Sequence, residues 1–175
     1  MTRALLSLGS NLGDREQHLR RAVSRLGPGV VSRSGIYETP PWGDADQPSY
    51  LNAVVLVADP EAEPRDWLER ARAAEAEAER VRDPERRFGP RTLDVDVIAV
   101  WDAGGRPVLS DDPELTLPHP RAHLRAFVLR PWLDIEPAAE LPGHGPVAAL
   151  LAAPGPADDV AGLTPRPDLT LELSV

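Results

Sequence analysis

Residues 86–96 read Arg-Arg-Phe-Gly-Pro-Arg-Thr-Leu-Asp-Val-Asp: three arginines and an aromatic ring leading into a strand that carries Asp94 and Asp96. Side chains two apart on a strand point the same way. Both carboxylates therefore share one face, close enough to share divalent cations. Guanidinium forks match phosphate oxygens, and Asp oxygens hold Mg²⁺ while leaving coordination positions for substrate phosphates. The combination points to phosphoryl chemistry on a nucleotide. An Asp-x-Asp pair alone is more often a solvated strand end, and the arginine-rich lead-in, with the further residues below, is what gives it chemical meaning.

Other groups of residues could serve the same chemistry. Arg72, Glu75, Glu79 and Arg82 recur at three- and four-residue spacing and lead into the arginine loop. Such a ladder is ordinarily a solvated helix face with small energetic value, but here it adjoins the loop. Pro118-His119-Pro120-Arg121, followed by Arg125 and Phe127, offers a rigidly held imidazole and further guanidinium groups. Thr39-Pro40-Pro41-Trp42-Gly43 makes a stiff rim carrying a large apolar ring. Tyr50 and Asn52 share a strand face, opposite Leu51 and Ala53. An amide beside an aromatic ring reads the edge and face of a heterocycle, although a satisfied Asn on a half-buried strand looks the same. Gly9-Ser10-Asn11-Leu12-Gly13 lacks the dinucleotide-binding glycine spacing and reads as a turn between strand and helix.

Composition excludes several classes. All 19 basic residues are arginine, so the lysine of P-loop enzymes and of protein kinases is absent. Phosphate binding must then rest on Arg, Mg²⁺ and backbone N–H groups. There is no cysteine, hence no disulfide and no thiolate metal site. The net charge of −9 argues against nucleic acid as a partner. Locally the sign reverses: residues 80–91 hold five arginines against Asp83 and Glu85, a patch able to focus an anion. No apolar run approaches the roughly 20 residues of a membrane helix, so a soluble, cytoplasmic protein is expected. One domain over residues 1–175 is expected, with 155–175 as a tail without an assigned role.

Strands and helices alternate. Arg3–Leu8 reads as a strand. Asp14 and Gln17 form a capping-box pattern ahead of Leu19, Ala22, Val23 and Leu26, and Gly27-Pro28 ends that helix. Val31–Thr39 and Tyr50–Ala58 read as the second and third strands. Pro64 opens a long helix whose buried stripe is Trp67, Ala71, Ala74, Ala78 and Val81. Leu93–Trp101 is the fourth strand. This β-α-β-β-α-β order predicts an α+β, ferredoxin-like sandwich, an antiparallel sheet with helices on one face. Extra C-terminal elements follow: a Leu115–Leu117 stretch, short helices near residues 122–130 and 147–152, and an alternating run over 168–175 that either adds an edge strand or stays loose.

In order and spacing, Leu8-Gly-Ser-Asn-Leu-Gly, Tyr37-Glu-Thr-Pro-Pro-Trp-Gly, Gln47-Pro-Ser-Tyr-Leu-Asn, Gly89-Pro-Arg-Thr-Leu-Asp-Val-Asp and Leu117-Pro-His-Pro-Arg resemble the 6-hydroxymethyl-7,8-dihydropterin pyrophosphokinase family over about residues 4–135. The resemblance implies pyrophosphoryl transfer from ATP to a pterin alcohol, with release of AMP, in folate biosynthesis. It implies that Asp94 and Asp96 hold two Mg²⁺ and that Arg82 and Arg91 contact the phosphates, these four forming the catalytic set. Arg72, Glu75, Val97, His119 and Arg125 would join Arg82 and Arg91 around ATP. Thr39, Pro40, Trp42, Tyr50, Asn52, Phe88 and Phe127 would form the pterin pocket. Small-molecule partners follow, without nucleic acid or membrane, and a monomer is expected. The chain departs from the family pattern at Phe88, where tryptophan is usual, at Trp42, where a smaller apolar residue is usual, and at Arg72, where an amide is common.

Two other classes were open to these residues. A ferredoxin-like RNA-binding module would display strand aromatics and a basic surface, whereas aromatic residues make up only 5% of this acidic chain. An Asp-x-Asp phosphohydrolase would place its nucleophile on a parallel strand, usually with a catalytic lysine.

Overall fold

The computed structural model describes residues 1–41, 46–78 and 92–172. Its elements in chain order are β1 (Thr2–Ser10), α1 (Arg15–Leu26), β2 (Val30–Arg33), β3 (Tyr37–Thr39), β4 (Tyr50–Asp59), α2 (Pro64–Glu77) and β5 (Asp94–Asp102). There follow β6 (Ser110–Asp112), β7 (Leu115–Leu117), α3 (Ala126–Ile135), β8 (Glu140–Leu141), β9 (Gly145–Pro146), α4 (Val147–Leu151), α5 (Pro156–Asp159) and β10 (Thr164–Pro165). The main sheet runs β10-β3-β4-β1-β5, with β2 also on β4 and every pairing antiparallel. This is the expected ferredoxin-like order. Among the described residues no helix is long and apolar enough to cross a membrane.

Local signals set the helix ends. The Asp14 side chain accepts the Gln17 N–H at 3.1 Å and opens α1. Gly27, at φ +70°, closes it in a conformation that side chains disfavour. Pro64 stands in the first turn of α2, and Asp66 accepts the Glu63 N–H at 2.8 Å. Within the described residues α2 runs from Pro64 to Glu77. The expected stripe holds for Trp67, Ala71 and Ala74, with Ala78 partly buried, while Val81 lies outside the described residues.

The sheet is covered on both faces, which corrects the one-sided expectation. Ala4, Leu6 and Leu8 of β1 pack with Leu19, Val23, Trp67 and Ala71 beneath α1 and α2. Leu5 faces the other way, with Val54, Ile98 and Ala99, against Val128, Leu129 and Trp132 of α3. A β-bulge between β1 and β5 pairs Leu5 with Ala99 and Leu6 with Val97. It leaves Ile98 as the extra residue, so Ile98 and Ala99 both join the α3 side. Strands buried on both faces lose polar alternation, and for that reason the second layer is hard to read from β1 and β4.

Three further expectations change. The second strand is two strands, β2 and β3, because Ser34 replaces the ladder between them. Its N–H donates to Val54 O at 3.0 Å and its Oγ accepts the Val54 N–H at 2.9 Å. β1 extends through Gly9 and Ser10, so Gly9 is a strand residue and not part of a turn. The edge strand near the C-terminus is Thr164–Pro165 on β3, ahead of the alternating run. Leu169 and Leu171 instead pack into the α1 side of the core.

One buried hydrogen-bond chain ties α2 to β1. The Trp67 indole N–H donates to Thr2 Oγ at 2.7 Å, and the Thr2 hydroxyl donates to Ala62 O at 2.8 Å. Thr2→Val keeps the shape but leaves the buried indole N–H without its acceptor. That variant should lose about 1–3 kcal/mol by urea unfolding, and Thr2→Ser should lose less. An unchanged midpoint in Thr2→Val would refute the role given to this bond.

Candidate active site

The sheet register brings the two groups of candidate residues together. Tyr37 pairs with Asn52, Asn52 with Gly9, and Gly9 with Asp94. Directly paired residues point to the same face, here the α3 face, as Val54 and Ile98 do further along β4 and β5. Tyr50 lies two residues before Asn52 and Asp96 two after Asp94, so all four share that face. The strand periodicity thus holds for both pairs, with Gly9 between them.

Gly9 is the residue that the sequence reading assigned to a turn. A Cβ at this position would sit 2.9 Å from Asn52 Oδ1 and 3.5 Å from the Tyr50 ring. A floor without a side chain keeps the amide, the ring and the carboxylates on one continuous surface. The available signal was a glycine inside an apolar strand run, which often marks close approach.

On one side of Gly9 lie Thr39, Tyr50 and Asn52. Thr39 and Asn52 are buried, and Asn52 Nδ2 donates to Thr39 Oγ at 2.6 Å. That bond fixes the amide with its oxygen turned toward Gly9. Pro40 follows Thr39 at the exposed rim. Asn11 supports the far stem of the same rim, donating from Nδ2 to Gln47 Oε1 at 2.8 Å and to Pro48 O at 3.0 Å.

On the other side lie Asp94 and Asp96, both partly exposed at the start of β5. Arg125 Nη1 donates to Asp96 Oδ2 at 3.4 Å from a side chain only 9% exposed. Its guanidinium lies 5.5 Å over the Phe127 ring, a cation–π contact at the start of α3. His119 is hung on the outer edge of β5: its N–H donates to Ile98 O at 2.8 Å, and its Nδ1 accepts the Arg121 N–H at 3.1 Å. Accepting at Nδ1 leaves the proton on Nε2 in the neutral ring. Burial first, then the charges of Arg125 and Arg121, push His119 down to about 4, while Asp94 pulls the other way. The imidazole is therefore a neutral donor at physiological pH.

Glu75 is buried on α2, and its Oε2 accepts the Val95 N–H at 3.1 Å, which ties the helix to β5 between the two aspartates. Val97 packs in the α1–α2 core, so its side chain faces away from Asp96. Arg72 is exposed and bonds Glu114 at 3.2 Å. Arg82 and Arg91, with Trp42, Phe88, Arg86 and Arg87, lie outside the described residues. Among the described residues no three of His, Cys, Asp and Glu gather as a metal cage. The donor set is two carboxylates, which suits an ion that keeps water and phosphate ligands, as Mg²⁺ does.

The neutral His119 has a measurable consequence. Below pH 6.5 the unfolded chain takes up a proton that the folded chain refuses until about pH 4. Wild type should therefore lose about 3 kcal/mol relative to His119→Asn as pH falls across that window, and nothing above it. Parallel stability curves for the two proteins by urea unfolding at pH 7, 6, 5 and 4 would overturn this assignment.

Comparison with known proteins identifies the family. Residues 5–137 match the family described as 7,8-dihydro-6-hydroxymethylpterin-pyrophosphokinase. A Mycobacterium bovis protein named 2-amino-4-hydroxy-6-hydroxymethyldihydropteridine pyrophosphokinase is 49% identical over 165 residues, covering 90% of this chain and 87% of that protein. Its namesake in Pseudomonas aeruginosa is 37% identical over 155 residues, 86% of this chain and 91% of that protein. Among solved structures, wild-type Plasmodium falciparum HPPK-DHPS superposes over 86% of this chain with a TM-score of 0.58 at 12% identity. The chain spans 44% of that longer protein, and at such identity the likeness speaks for the fold alone. With a match over most of its length and relatives at this level of identity, the chain belongs to the 7,8-dihydro-6-hydroxymethylpterin-pyrophosphokinase family.

Proposed function

We infer that this protein transfers the pyrophosphoryl group of ATP to the hydroxymethyl oxygen of 6-hydroxymethyl-7,8-dihydropterin in folate biosynthesis, and that the α3 face of the sheet is where it does so. The observation that carries the site is the row Asn52–Gly9–Asp94. It sets an amide suited to a pterin edge beside carboxylates suited to a metal-bound triphosphate.

In this reading Thr39, Pro40, Tyr50, Asn52 and Phe127, with Trp42 and Phe88, enclose the pterin. The rings cover its faces, and the Thr39-held Asn52 amide pairs with its hydrogen-bonding edge. Arg125 and the Nε2–H of His119, with Glu75, Arg72, Arg82, Arg91 and the Val97 backbone, hold the nucleotide. Asp94 and Asp96 would hold two Mg²⁺, which when bound offset triphosphate charge and favour ionisation of the attacking hydroxyl. The hydroxymethyl oxygen attacks the β-phosphorus, the bond from that phosphorus to the bridging oxygen breaks, and AMP leaves with that oxygen. The hydroxyl proton passes to solvent. Such a transfer asks for alignment and charge neutralisation more than for a protein nucleophile, and the side chains here supply those two.

Asp96→Ala should lower pterin-dependent AMP formation by about 10²–10³-fold while pterin binding persists. Gly9→Ala should act oppositely. It intrudes on Asn52 Oδ1 and Tyr50, so it should raise KM for the pterin by about 10–100-fold, with KM for ATP little changed. AMP assays with separately varied substrates read both. Full activity in Asp96→Ala would sink the carboxylate assignment, and an unchanged pterin KM in Gly9→Ala would sink the pocket.

A further inference from the structure

The segment after α5 was left without a role by its sequence, yet it makes a specific set of bonds to the pterin rim. β10 adds to the free edge of β3, pairing Thr164 with Glu38 and Pro165 with Tyr37. Arg166 N–H donates to Ile36 O at 2.8 Å. Its guanidinium splits between two carboxylates: Nη1 donates to Glu38 Oε1 at 2.9 Å, while Nε and Nη2 grip Asp168 at 3.0 and 2.8 Å. Glu38 stands next to Thr39. Its other oxygen accepts Arg15 Nη1 at 3.0 Å, and the same Nη1 donates to Ser49 O at 3.0 Å. Arg15 and Glu38 thus join the two stems of the rim, the one ending at Thr39 and the one leading into Tyr50.

The segment also braces Pro40 directly. A Cβ on Gly162 would lie 3.3 Å from Pro40 Cδ and Cγ, so backbone and ring are nearly in contact. Beyond Asp168 the chain is anchored on α1. Arg20 Nε donates to Thr170 O at 2.9 Å, Glu16 accepts the Thr170 N–H at 3.1 Å, and Leu171 is buried in the core. A segment that merely capped a sheet edge would need backbone pairing alone. Here an arginine gripped at two nitrogens by Asp168 turns its third, Nη1, to Glu38, an acidic side chain joined to both stems.

We propose that residues 162–172 form a strap that holds the Thr39–Pro40 rim in its pterin-binding position, with Arg166 as the positioning residue acting through Glu38. This inference rests on the pterin pocket proposed above. Arg166 touches no reacting atom, so its loss should loosen one substrate and spare the chemical step.

The test is steady-state kinetics of the full chain, varying pterin alcohol and ATP separately, in wild type, Arg166→Ala, Arg166→Lys, Gly162→Val and Asn52→Ala. Arg166→Ala should raise KM for the pterin about tenfold, the worth of one charged hydrogen bond, with kcat and KM for ATP within about twofold. Arg166→Lys, which keeps a charge for Glu38 but loses the fork, should recover part of that loss. If Arg166→Ala does not fold, Gly162→Val, which crowds Pro40 without altering charge, is judged by the same criterion. A pterin KM unchanged from wild type, or a rise matched by ATP, would overturn the strap. Asn52→Ala separates the two readings. If it leaves pterin KM intact, the pocket fails. If it raises pterin KM while the strap variants do not, only the strap fails.

Discussion

The register of β1 between β4 and β5 is the constraint on which the site depends. Nine residues of β1 pair in order with β4, from Thr2 opposite Asp59 to Ser10 opposite Leu51. A slip by one residue would turn every side chain over and bring Leu8 or Ser10 between Asn52 and Asp94. Hydrophobicity alone does not forbid such a slip, because both faces of the sheet are apolar. Local features do: the Thr2–Trp67 bond at one end, the Ile98 bulge in the middle, and the space only glycine leaves at position 9. Stability and site geometry are thus set by the same pairing.

Charge in the site is arranged locally and owes little to the acidic whole. A buried guanidinium such as that of Arg125 is costly unless paired, and Asp96 supplies the pair. Burial, helped by the same cation and by Arg121, holds His119 neutral. In the proposed reading, the carboxylate and guanidinium of this pair serve opposite parts of a metal–phosphate ligand. The rim uses a parallel device, a carboxylate between two guanidiniums, and Arg15 holds Glu38 below its usual carboxylate range, with Arg166 adding to the effect.

Much of this was legible in the chain because it is short-range. The shared face of Asp94 and Asp96, and that of Tyr50 and Asn52, follow from strand period and hold whatever the partner strand is. The limits of α1 follow from Asp14 and Gly27, residues that act on their immediate neighbours. The order of strands and helices, and the antiparallel sheet, came from the same periodicities. Where such signals mislead, the cause is a contact from elsewhere. Glu75 sits on what reads as a polar helix face, yet it is buried because Val95 N–H waits for it across the gap to β5. Ser34 breaks the second strand because its hydroxyl is a better fit to Val54 than the continued ladder.

The sequence by itself determined which residue types are available for phosphoryl transfer, and that any cationic side chain offered to a phosphate is arginine, never lysine. It also determined which pairs of side chains must point together. Only the tertiary structure decided that Gly9 separates the two halves of the site, that α3 closes the second face, and that His119 is neutral. It alone placed Arg166 on Glu38, 128 positions away in the chain. The physical reason is range: dihedral preference and side-chain period act over a few residues, whereas strand register, desolvation and ion pairing depend on which distant segments the packed core brings into contact.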